Sequence, residues 1–171
     1  AQHLAVSRGW QRPQALLLAE QVRVCLQRAD YPGAEQLQRQ LEHLAANARI
    51  DAEHPCQRAI AHYAALSRSR LLLGSGQAPQ ATILLAERVA EQESRGDWLT
   101  AARLRTLWSV ALWNSGENAA ACTAVQPFLQ LAEKQNLKGT LLDAGETLQA
   151  LLLHINETSA ASKETGAGYV H

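Results

Sequence analysis

The chain has no methionine, one phenylalanine and three cysteines in 171 residues. Without methionine, Ala1 is not a translation start, so the sequence reads as a piece of a longer protein or a processed product. Cys25, Cys56 and Cys122 are odd in number and far apart, which argues against a disulfide framework and suits a reducing cytoplasm. Each falls within a predicted helix, where it is expected to serve as a small buried apolar residue. No apolar run approaches the roughly 18 residues that cross a bilayer, and the N-terminus lacks the basic-then-apolar form of a signal peptide. Sixteen basic residues face sixteen acidic ones, so overall charge gives no reason to expect a nucleic acid or a membrane as partner. Alternating apolar and polar residues are nearly absent, which leaves little room for strands.

Helical periodicity is abundant. Ala15, Leu18, Ala19, Val22, Cys25 and Leu26 form one stripe, and Ala34, Leu37, Leu41, Leu44 and Ala45 the next. Ala101, Leu104, Trp108, Ala111 and Leu112 form another, and Ala144, Leu148, Leu151, Leu152 and Ile155 the last clear one. Steps of three and four place each set on one side of a helix. Pro13, Pro32, Pro55 and Pro79 stand just before such stripes, at the first helical turn, where the missing N–H costs nothing. Asp97 and Asp143 suit N-caps, the latter with Glu146 spaced as in a capping box. Pro127 lies inside a stripe and predicts a kink or break. The pattern predicts seven helices, at 13–28, 32–48, 55–73, 79–95, 97–114, 118–134 and 141–156. A helical repeat domain over 1–157 would be followed by a flexible tail or linker over 158–171, which is small and polar.

Three turns share a pattern: "LQRADYPGA" from Leu26, "LGSGQAPQA" from Leu73 and "WNSGENAAA" from Trp113. A large apolar residue is followed three positions later by Ala29, Gly76 or Gly116, and five positions further by Ala34, Ala81 or Ala121. The copies are 47 and 40 residues apart, a period that with two helices per unit marks a helical solenoid. Glycine closes a helix in the left-handed conformation, and the alanine lets the next helix cross closely. Gly74 and Gly76 are therefore turn residues. A phosphate loop would need further glycines, a following lysine with serine or threonine, and a preceding strand.

These repeats resemble tetratricopeptide helical hairpins. More specifically, the chain resembles the superhelical domain of the large ATP-dependent LuxR-type transcriptional regulators, the MalT-like proteins. In that family the last repeats lead into "A-E-x-x-G-Y-V-R-x-F-x-D-E-G-x-x-L-x-x-L-L". Residues 132–152 read "AEKQNLKGTLLDAGETLQALL". Ala132, Glu133, Leu142, Asp143, Gly145, Leu148, Leu151 and Leu152 match without a gap, whereas Asn136, Leu137, Gly139, Leu141 and Ala144 depart.

The resemblance implies an all-α superhelix of antiparallel helix pairs acting as a non-catalytic sensor domain of a cytoplasmic transcription regulator. Such a domain would bind a small effector or a protein partner and communicate with its neighbouring domains. ATP and DNA would belong to other parts of the parent protein. Neither a nucleotide-binding loop nor the "R-E-x-E-V-L … N-x-x-I-A … T-V-K" pattern of the DNA-binding module occurs here, so the fragment itself is expected to hold no cofactor and to touch neither nucleic acid nor membrane. A free-standing tetratricopeptide adaptor that binds a peptide in its groove is the alternative.

Counting back six residues from the small turn residue reaches Arg23, Arg70 and Val110, and counting back three reaches Leu26, Leu73 and Trp113. In tetratricopeptide hairpins these positions line the inner surface, and Tyr63 and Arg103 fall at a third equivalent position. Arg23, Tyr63, Arg70, Arg103 and Trp113 are thus the candidate ligand or partner contacts, with Arg23 and Arg70 able to hold an anionic group. No nucleophile–base pair stands out, so no catalytic residue is assigned. His54, Cys56 and His62 are the only histidine–cysteine cluster, but His54 precedes Pro55 and no fourth ligand is evident, so no metal site is assigned. Trp108 fits a core stripe, while Trp10 and Trp98, near element starts, are expected to pack against a neighbouring repeat.

Overall fold

A computed structural model describes residues 10–47, 55–135 and 148–157. Among these residues every regular element is helical. In chain order they are α1 (Gln11–Gln27), α2 (Tyr31–Asn47), α3 (Pro55–Gly74), α4 (Ala78–Ser94), α5 (Trp98–Asn114), α6 (Asn118–Gln135) and α7 (148–157). The first six begin and end within two residues of the periodicity. For the seventh, the part expected before residue 148, with the Asp143 cap, lies outside the described residues, as do His54 and 158–171.

The turns explain this regularity. Ala29, Gly76, Gly96 and Gly116 all have positive φ, of 56°, 75°, 74° and 83°. After each, the next residue's N–H donates to a carbonyl five positions back: Asp30 to Cys25, Gln77 to Leu72, Asp97 to Gln92 and Glu117 to Leu112, at 2.8–3.0 Å. The left-handed residue itself donates to the carbonyl three back. That paired set is a Schellman closure, which satisfies carbonyls the helix end would otherwise orphan. The following residue then opens the next helix: its carbonyl accepts from the N–H of Ala34, Ala81, Ala101 or Ala121. Those four alanines are at most 1% exposed. Stop signal, start signal and close-packing residue thus recur in one register.

Ala29 is the copy without glycine. A left-handed alanine carries about 1–2 kcal/mol of backbone strain, and glycine's greater freedom in the unfolded chain returns part of that. Ala29→Gly is therefore expected to stabilise the protein by about 0.5–1 kcal/mol, read as a higher urea midpoint with an unchanged slope. The same change at Ala34, in a helix, should destabilise.

The chain divides into two compact units, Ala1–Leu85 and Ala86–His171. In the first, α1 packs on α2, and α3 packs on both. Ala15, Leu18 and Ala19 of α1, Leu41 of α2, and Ile60 and Ala64 of α3 form its main core, with Tyr63 and Cys56 at the edge. Val22, Ala34 and Leu71 continue it toward the α1–α2 turn, joined by the part-buried Cys25 and Leu26. Gly74 closes this end: a side chain there would meet Leu26 and Tyr31 at 3.4 Å. Gln38 of α2, 1% exposed, donates through Nε2 to the Ala64 carbonyl of α3 at 3.1 Å and to Glu42 at 2.9 Å.

In the second unit α5 and α6 fold back on one another. Ala121, Ala124, Val125 and Phe128 of α6 are buried, as are Leu148 and Leu151 of α7. Helix α5 is buried on several sides, and its interior hydroxyls bond to their own backbone: Thr106 to the Ala102 carbonyl at 3.3 Å and Ser109 to that of Thr106 at 2.7 Å. Asp97 caps α5 as expected, accepting from the Thr100 N–H at 3.1 Å. Of the kink or break expected at Pro127, the break does not occur: α6 runs through it. Pro127 and Thr123, whose carbonyl loses its usual donor, are both on the exposed side, where an unmade helix bond is least costly.

Candidate functional site

The five candidate contacts fall in different surroundings. Arg23, on α1, donates from Nε to Glu20 one turn earlier at 2.8 Å. Both side chains are more than a third exposed, so the pair contributes little to stability and is exchangeable for another anion. Arg70, near the C-terminal end of α3, is half-buried and already engaged with a partner. Tyr63, two turns earlier on α3, is half-buried at the edge of the first core, with its ring edge-on to His62 at 6.0 Å. These three belong to the first unit, on α1 and α3, two helices in direct contact.

Arg103 and Trp113 belong to the second unit. Arg103 is exposed on the first half of α5. Trp113 is half-buried at the end of α5, its ring 5.2 Å from that of His154 on α7. At the matching register position in the first unit, Leu26 closes against Gly74 at the end of α3. Leu26 and Trp113, each three before a left-handed turn residue, thus both touch a helix beyond their own hairpin.

Other features were only partly visible in the sequence. Gly96 completes the set of turns, with Gly76, Gly96 and Gly116 at equal spacing. The signal "RGDWLTA" was present, but it lies between pairs rather than within one, and position 93, where the other turns carry a large apolar residue, is glutamate. That Glu93 instead bridges α4 to α5, accepting from Arg105 Nε at 2.8 Å and Nη2 at 2.6 Å. The Arg105 guanidinium lies 5.7 Å from the centre of the Trp108 ring, a cation–π arrangement. Trp108 is part-buried, and its Nε1 has no hydrogen-bond partner among the described residues. Glu91 holds both Arg88 and Arg95.

Trp10 and Trp98, expected to pack against a neighbouring repeat, are instead 51% and 66% exposed. Trp10 stands at the N-cap of α1, and Trp98 is the first residue of α5. The three cysteines, expected to be buried, are free and only part-buried; Cys56 and Cys25 pack at the edges of the first unit's cores. Among the described residues, no three histidine, cysteine, aspartate or glutamate side chains are grouped to hold a metal ion. Among the same residues, no helix is long and apolar enough to cross a membrane.

No protein-family model, curated protein or solved structure matches the chain.

Proposed function

We propose that this chain is a non-catalytic sensor and interaction domain of a LuxR-type, MalT-like transcription regulator. It binds a small effector or a protein partner and biases the parent protein between resting and active states. The observation that carries this reading is the recurrent turn: four Schellman closures, each followed by a buried alanine in the same register, build helical hairpins with equivalent surface positions. Repeats of that kind act by presenting a row of side chains to a partner, not by assembling an enclosed acid, base and nucleophile. The resemblance of residues 132–152 to the stretch that follows the family's last repeats supplies the rest.

Regulation then follows from differential affinity. A ligand that prefers one arrangement of the parent's domains shifts the population toward it by as much as that preference allows. Nothing in this mechanism requires the fragment to bind ATP or DNA.

A thermal-shift screen of the chain against metabolites and short peptides is expected to yield a ligand that raises the melting temperature in proportion to the logarithm of its concentration. Calorimetry on Arg23→Ala/Arg70→Ala should then show weaker binding with helicity unchanged. Equal affinity would remove these arginines from the site. The parent coding sequence separates the regulator from the free-standing adaptor: a helix-turn-helix encoded downstream of residue 171 selects the regulator.

A further inference from the structure

Two polar side chains, 1% and 0% exposed, interrupt the apolar stripes of the first unit. On α2, Gln38 stands between the buried Ala34 and Leu41; on α3, Ser67 stands between the buried Ala64 and Leu71. The stripes face one another. Leu41 packs in one apolar group with Ala64, and Ala34 in another with Leu71. Gln38 and Ser67 therefore fall at one level, between those two groups. They make a polar layer where each helix would otherwise place an aliphatic residue.

The Gln38 amide is oriented by what surrounds it. Its Nε2 faces two acceptors, the Ala64 carbonyl at 3.1 Å and Glu42 Oε1 at 2.9 Å. A reversed amide would set oxygen against both, so Oε1 points the other way. There it is buried and has no hydrogen-bond partner among the described residues. Ser67 Oγ is in the same condition. The other buried hydroxyls, Ser69, Thr106 and Ser109, each donate to a carbonyl three or four residues back. For Ser67 the carbonyl three back is that of Ala64, which Gln38 already occupies. Two orphaned groups thus flank one occupied carbonyl, in surroundings where leaving them unpaired is costly.

We propose that Gln38 Oε1 and Ser67 Oγ together bind one internal water molecule between α2 and α3. The water donates to Gln38 Oε1 and accepts from the Ser67 hydroxyl. Buried polar groups too far apart to bond directly are commonly joined this way. The alanines at 34 and 64 border the layer with small side chains, where a site for a water needs its room. With the Gln38–Ala64 bond, the water gives α2 a second polar tie to α3. A slip of either helix by one turn would bury Gln38 against aliphatic residues without a partner, so the layer holds the register of the two helices.

The test is oxygen-17 magnetic relaxation dispersion on the whole chain, which counts long-lived internal waters, beside a high-resolution crystal structure. The crystal is expected to show a water about 2.7–3.0 Å from both atoms. The dispersion amplitude should fall by one water in Ser67→Val, whose added methyls fill the site, and in Gln38→Met, which removes the acceptor. Ser69→Ala, which deletes a hydroxyl already bonded, should leave the amplitude unchanged. Each of the first two variants should lower the urea midpoint, and Gln38→Met/Ser67→Val should lower it by less than their sum, because no orphaned group remains. If Ser67→Val does not fold, Gln38→Met carries the comparison. An amplitude unchanged in the folded variants would overturn the proposal. So would a crystal structure with Ser67 bonded directly to Gln38 and no water between them.

Discussion

Phe128→Ala is expected to lower the unfolding free energy by about 3–5 kcal/mol, the range for emptying a buried aromatic site. Phe128 is the only phenylalanine in the chain and is fully buried on α6. It lies one turn beyond Ala124 and Val125, which are also buried, so the cavity would open in the middle of the helix's packed side. Pro127 beside it stiffens the backbone and limits how far the surroundings can collapse into the gap. Urea unfolding followed by far-ultraviolet circular dichroism measures the loss. Phe128→Leu should recover more than half of it, because most of the volume and apolar area is restored. A loss below about 1 kcal/mol for the alanine variant would place Phe128 outside any tightly packed core.

Ala81→Leu is expected to destabilise by about 1–3 kcal/mol, in spite of adding apolar surface and keeping a strong helix former. Ala81 is completely buried on the first turn of α4, where its N–H donates to the Gln77 carbonyl that opens the helix. Three added carbons at a close helix approach must push the backbones apart or adopt a poor rotamer. Ala34→Leu and Ala121→Leu, equally buried at the same register position, should behave alike. Similar losses at all three would show one packing rule repeated along the chain. Ala120→Leu, one residue away and exposed, should be tolerated within about 0.5 kcal/mol. If Leu were accepted equally at 120 and 121, the register would be wrong.

Much of the helical layout was legible because it is set locally. Proline marks the first turn of four helices, and a small residue three positions after a large one marks where several of them end. Such signals do not depend on what the helix later touches. Burial was readable wherever the apolar stripe was single, as with Leu18 and Val22 of α1 or Leu41 of α2. It was less readable in α5, which is covered on several sides and so hides Thr106 and Ser109 as well as its apolar residues. Gln38 sits within the apolar stripe of α2, but its bond to the Ala64 carbonyl depends on the placement of α3, which no spacing within α2 states.

The candidate contacts were harder to judge for a related reason. Counting from a turn gives a residue's place on its helix but not its partner. Arg23 meets Glu20 by simple one-turn adjacency, a pairing visible in the sequence. Arg105 meets Glu93 through the α4–α5 reversal at Gly96, so recognising that pair required recognising that turn first. Trp113 meets His154 across a stretch whose course the periodicity does not fix.

Because each helix carries its own closing and opening signal, the hairpins are specified by residues close together along the chain. Bringing such neighbours together costs little loop-closure entropy, and topologies of this sort fold in microseconds to milliseconds. The same locality allows opening to begin at an end and advance hairpin by hairpin. Amide hydrogen exchange should accordingly fall into blocks bounded by Ala29, Gly76, Gly96 and Gly116, a graded melting that lets a partner tighten one stretch of the protein and leave the remainder loose.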